Sequence, residues 1–74
     1  MQLEKNQLAR VIKIQRNEIT EYNVYRKLAN VVPNKADSEV IRKIAEQEKH
    51  HYEIWKKVTN RNIQPSKIKE TYFY

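Results

Sequence analysis

Seventy-four residues without one glycine leave a chain few ways to turn. Tight β-hairpins and phosphate-cradling loops lean on glycine, which alone enters the left-handed backbone region without a steric cost. Rossmann and P-loop chemistry are excluded on that ground. With only two prolines as further punctuation, an all-α fold of long helices and very few turns is what remains. The chain also has no cysteine. No disulfide can staple it and no thiolate can hold a metal.

Residues from about 3 to 32 carry neither proline nor glycine and repeat apolar groups at roughly 100° per residue. The stripe is Leu8, Val11, Ile14, Glu18, Tyr22, Tyr25, Leu28, Ala29 and Val32. Lys5, Arg10, Lys13, Arg16, Asn17 and Lys27 lie mostly away from it. Ile12, Ile19, Val24 and Val31 also lie off the stripe, as a second interface or as scattered apolar surface. A first helix of about 28 residues, roughly 42 Å long, follows at 1.5 Å rise per residue. Pro33 ends it, lacking an amide hydrogen and disfavouring a helical residue before it. Asn34, Asp37 and Ser38 are each suited to cap the next helix. That helix spans about 36 to 59, on a stripe of Val40 or Ile41, Ile44, Ala45, Glu48, His51, Tyr52, Trp55 and Val58. Asn60-Arg61-Asn62 closes it. Residues 61–74 form a tail in which Pro65-Ser66 suits the start of a short helix, and Tyr72-Phe73-Tyr74 forms a terminal aromatic cluster in want of a partner.

The expected architecture is a long antiparallel helix hairpin, residues 1–60, with that tail. Two helices cannot shield both of their apolar stripes. Pairing two hairpins into a four-helix bundle does so with no new structure. The N-terminus has no signal-like apolar core and no apolar run approaches the roughly 18 residues needed to span a bilayer, so a cytoplasmic location is expected. The net charge of +6, from 15 Lys plus Arg against 9 Asp plus Glu, describes a solvated helix exterior. A metal-free interaction module for protein, nucleic acid or an acidic membrane is the rival, but no basic cluster exceeds three residues and the cations are spread over both helices.

What interrupts the stripes carries the chemistry. Glu18 falls mid-stripe between Ile14 and Tyr22, with Glu21 flanking the same face. Glu48 and His51 fall between Ile44 and Trp55, spaced i, i+3 so that both leave one side of the helix. Buried carboxylates need compensation, and iron or manganese supplies positive charge while accepting mixed oxygen and imidazole ligands. Di-iron carboxylate bundles take one Glu from each of two helices and Glu-x-x-His from each of the other two. Glu18 and Glu48-Lys49-His50-His51 supply one of each, and two copies complete the set. His50 points about 100° away and is read as surface, as are Glu39, Glu46 and Glu53. Tyr25 is either a partner of a ligand carboxylate or a core tyrosine.

At these residues the chain resembles the rubrerythrin branch of the ferritin-like superfamily. Glu18, Tyr25 and Ala29 match a ligand Glu, an aromatic seven residues on and a small residue eleven on. Ile44-Ala45, followed by Glu48 and His51, matches the family's Ile-Ala and Glu-x-x-His. Glu21 is similar to the extra carboxylate of a Glu-x-x-Glu motif. Trp55-Lys56-Lys57-Val58-Thr59 and Gln64-Pro65-Ser66-Lys67-Ile68-Lys69 resemble the rubrerythrin-like domain fused to vacuolar iron transporter-type membrane proteins. In those proteins the chain continues into a second helix pair and membrane helices. The likeness here covers about residues 11 to 69 and one helix pair. It implies a homodimer, or a higher oligomer, with about two irons per dimer held between subunits by Glu18, Glu21, Glu48 and His51. Manganese or another divalent metal is the alternative. It further implies a ferroxidase- or peroxidase-type oxidoreductase whose only reactive groups are the metal ligands. Without the family's cysteine site, electrons would come from an external donor. No specific nucleic acid is expected, and membrane contact only if the chain is part of a longer protein.

Overall fold

The computed structural model describes residues 3–67. Two helices, α1 (Lys5–Val31) and α2 (Lys35–Thr59), pack against each other along their length as a hairpin. Local chemistry sets the ends. Gln7 folds back so that its side-chain oxygen accepts from the Glu4 amide at 3.0 Å, satisfying a donor at the start of α1. Val32 turns extended ahead of Pro33. Of the three candidate caps, Asn34 takes the position: its Oδ1 accepts from the Asp37 amide at 3.0 Å. Asn60 closes α2 in the left-handed conformation (φ 55°, ψ 38°), which asparagine tolerates best after glycine. Ser38 Oγ donates to the Ala29 carbonyl at 2.6 Å, joining the first turn of α2 to the last turn of α1.

The molecule measures 45 × 22 × 14 Å. The smallest dimension is little more than one helix diameter of about 10–12 Å, so the hairpin is a single layer with two broad faces. The buried residues are Ile19, Ala29, Ala45 and Tyr52, together with the polar Gln15, Thr20 and Thr59. Ile19, which falls off the apolar stripe read from the sequence, is thus part of the buried core. The stripe residues Ile14 and Leu28 are each 39 % exposed and Val40 57 %. They belong to one broad face, called here the open face.

The opposite, back face is partly covered by the segment after α2. Residues 61–66 are irregular and run along α1 as a strap; Lys67 is helical, and the rest of the short helix expected after Pro65-Ser66, with the aromatic cluster at 72–74, lies outside the described residues. Arg16 Nε donates to the Gln64 carbonyl at 3.1 Å, and the Ser66 amide donates to Thr20 Oγ1 at 2.7 Å. The Ile63 amide donates to the Tyr52 hydroxyl at 3.0 Å. Gln15 is the fulcrum. It is fully buried, its Nε2 donates to the Arg61 carbonyl and its Oε1 accepts from Thr59 Oγ1, both at 2.8 Å. One amide therefore fixes the sliding register of α1 against the end of α2.

Replacing Gln15 with Leu takes a hydrogen-bond partner from the Arg61 carbonyl and from the buried Thr59 hydroxyl. The expected cost is about 1–3 kcal/mol, read as a lower urea midpoint, with part regained in Gln15→Leu/Thr59→Val because one orphan is removed. A midpoint equal to wild type in Gln15→Leu would show that the seam does not depend on this amide.

Candidate metal centre

Antiparallel packing brings the middle of α1 level with the middle of α2. Glu18 from α1 and Glu48 and His51 from α2 each offer a ligand atom, and these atoms all lie within 4.8 Å of one another. The i, i+3 spacing on α2 sets Glu48 and His51 on adjacent turns, and Glu18 meets them across the seam. His51 Nδ1 lies 3.3 Å from Glu18 Oε2. Exposure is graded: the Glu18 side chain is 20 % exposed and that of His51 51 %. Glu48 is half-buried. The group sits where the seam meets solvent, and His51 is its most accessible member.

The electrostatics are those of a site short of positive charge. Burial pushes the Glu48 carboxyl above its ordinary range, and the hydrogen bond and negative charge of Glu18 push it the same way. A hydrogen bond from Glu21 and the charge of His51 act in the opposite sense. Glu21 is exposed and outside the three-residue group, yet its side chain reaches Glu48. All four residues read from the sequence therefore meet in one place, three tightly and Glu21 at the margin. Two carboxylates and an imidazole on one open patch form the mixed oxygen and nitrogen donor set that iron and manganese accept. A divalent cation there would relieve the repulsion between the carboxylates and favour the ionised form of Glu48.

The sign of the pH effect follows. With its folded pKa raised above the unfolded value, Glu48 holds more proton in the folded than in the unfolded chain between the two values. Metal-free stability therefore falls as pH rises through that window, and the penalty is complete above it. Glu48→Gln is expected to melt above wild type at neutral pH without metal, by a modest amount because solvent screens the group. The gap should close at acid pH. A variant less stable than wild type at neutral pH would contradict the strain ascribed to Glu18 and Glu48.

The surroundings hold groups that apolar periodicity does not reveal. The Lys49 ammonium lies over the Tyr22 and Tyr52 rings, 5.5 and 5.3 Å from their centroids, and pairs with Glu53 at 3.5 Å. The Arg26 guanidinium covers Tyr22 at 5.3 Å. Glu53 is thus half-buried and paired, whereas Glu39 and Glu46 are exposed as expected. His50 is exposed, its ring 6.5 Å from that of His51. Tyr25 is half-buried. Among the described residues no helix is long and apolar enough to cross a membrane.

No curated protein and no solved structure matches the chain significantly. The family model described as Rubrerythrin matches residues 2–70, a span that contains both helices, the strap and every residue of the carboxylate–histidine group. On that match, over nearly the whole chain, this protein belongs to the rubrerythrin family.

Proposed function

We propose that two hairpins join by their open faces into a four-helix bundle that holds a di-iron carboxylate centre between the subunits. The observation that carries this reading is the convergence of Glu18, Glu48 and His51 halfway along the seam, at the edge of the open face. One hairpin supplies two carboxylates and one imidazole. Two supply the four glutamates and two histidines of a di-iron bundle, with Glu21 as an added ligand at each end. Within each subunit Glu18 and Glu48 hold negative charge against the cations and His51 gives a neutral nitrogen once it lets go of Glu18.

When bound, an iron pair supplies redox chemistry toward dioxygen or peroxide. The function proposed is oxidation of ferrous iron, serving iron storage and handling or removal of peroxide. The chain contains no cysteine, so repeated turnover draws on a reductant from outside it.

Anaerobic ferrous titration of the purified protein, with elemental analysis and light scattering, tests the reading. The expected result is about two irons per dimer. Absence of stoichiometric iron would refute it and leave a metal-free helical module.

A further inference from the structure

The carboxylate–histidine group occupies only one edge of the seam. About the α2 axis, His51 stands roughly 60° to one side of Glu48 and Lys49 roughly 100° to the other. Lys49 therefore leaves α2 level with the ligands but toward the strap. Its ammonium is shared between two rings, 5.5 Å from the centroid of Tyr22 on α1 and 5.3 Å from that of Tyr52 on α2. Both rings are themselves held. Tyr52 is buried, and its hydroxyl accepts from the Ile63 amide at 3.0 Å. Tyr22 lies under the Arg26 guanidinium at 5.3 Å, and its hydroxyl accepts from Arg26 Nη1 at 3.4 Å. One cation thus bridges α1 and α2 and, through Tyr52, reaches the strap.

The bridge stands where the helices have most reason to part. Glu18 and Glu48 meet there, and their negative charges repel. Tyr22 is one turn beyond Glu18, Lys49 is bonded to Glu48, and Tyr52 is bonded to His51. Attraction between Lys49 and the Tyr22 ring therefore acts on the backbone that carries all three ligands. The pairing of Lys49 with Glu53 at 3.5 Å lies within α2 and cannot tie the helices together. Two roles for Lys49 differ in sign. As a plain charge it repels an incoming divalent cation, so its removal tightens metal binding. As a brace it holds the carboxylates together before the metal arrives, so its removal weakens binding. The contacts favour the brace, because the ammonium is already engaged by Glu53 and two rings.

We propose that Lys49 is the positioning residue of the carboxylate–histidine group: laid over Tyr22 and Tyr52, it braces α1 against α2 so that Glu18 meets Glu48 and His51 before any metal enters. The attraction of a ring face for a cation is electrostatic, so arginine can replace lysine in this role and a neutral side chain cannot. The inference deepens the metal-binding reading and rests on it for the affinity measurement, but not for the metal-free one.

The test compares Lys49→Gln, Lys49→Arg and Glu53→Gln with wild type, using the full chain throughout. In anaerobic ferrous titration Lys49→Gln should weaken binding at least about fivefold. Lys49→Arg, which keeps the cation, and Glu53→Gln, which removes only the pairing within α2, should stay within about twofold. Binding unchanged or tighter in Lys49→Gln overturns the brace. Tyr22→Leu should give a similar loss that does not add to that of Lys49→Gln, and fully additive losses would overturn it too. The metal-free chain is read by NMR. Lys49→Gln should lose the contacts between Glu18 and His51 while keeping those of Ser38 with Ala29 and of Gln15 with Thr59. Glu18–His51 contacts retained at wild-type strength would overturn the proposal whether or not iron binds. A wild type that takes up no iron refutes the metal reading alone and leaves the NMR comparison to decide this one.

Discussion

Glu48→Ala/His51→Ala is expected to abolish stoichiometric iron binding while leaving the hairpin helical. The double change removes one of two carboxylates and the only imidazole of the convergent group. Glu18, with Glu21 at its margin, leaves carboxylates alone, a donor set no better than many surface sites. The loss should exceed about a hundredfold in affinity, since each ligand to a divalent metal is worth several kcal/mol in such centres. Folding should not suffer in proportion, because neither residue lies in the buried seam formed by Ile19, Ala29, Ala45 and Tyr52. Removing the strained Glu48 even relieves the metal-free chain. Loss of iron with unchanged or higher thermal stability is thus the signature of a ligand role, and loss of both would signal a structural one. Glu21→Ala makes a graded comparison. Its side chain reaches Glu48 from the margin, so a smaller decrease, by about tenfold, fits an added ligand. Iron retained at wild-type stoichiometry in the double variant would place the metal elsewhere and sink the di-iron reading.

Much of this centre is legible in the sequence because ionisable residues inside an apolar stripe are costly and therefore conspicuous. Pro33 and the absence of glycine fix two helices and one turn, and equal distances from that turn bring Glu18 level with Glu48. The seam is less legible. Gln15, Thr20 and Thr59 are buried but polar, and a search for apolar periodicity passes over them. Their burial depends on partners far along the chain: Gln15 on Thr59 and Arg61, Thr20 on Ser66. Ile19 is misjudged for a related reason. α1 carries two faces about 100° apart, one for α2 and one left open, and a single stripe drawn through both must blur them. The strap escapes for a third reason. Nothing periodic marks residues 61–66, whose place is set by backbone hydrogen bonds to Arg16, Thr20 and Tyr52.

Leu28→Lys/Val40→Lys is expected to convert the proposed dimer into monomers and, with it, to remove the second half of the proposed metal centre. Both residues lie on the open face, 39 % and 57 % exposed in the hairpin, so lysine at either position costs a single hairpin little. In a bundle the same positions come out of water. Each dimer would lose four apolar contacts and would have to bury or displace four ammonium groups. Half-burial of an aliphatic side chain contributes roughly 1 kcal/mol, so the apolar loss alone approaches about 4 kcal/mol, or three orders of magnitude in the dimer dissociation constant. Charge desolvation and repulsion add to it. Leu28 is ten residues from Glu18 and Val40 eight from Glu48, so about 12–15 Å of helix separates each from the ligands. The substitution therefore leaves Glu18, Glu48 and His51 of one hairpin intact. Light scattering and iron titration on the same samples separate the alternatives. Monomers that no longer hold iron tie the centre to the interface. Monomers that still bind iron as tightly as wild type would confine the site to one hairpin, and a dimer that persists would move the interface away from the open face.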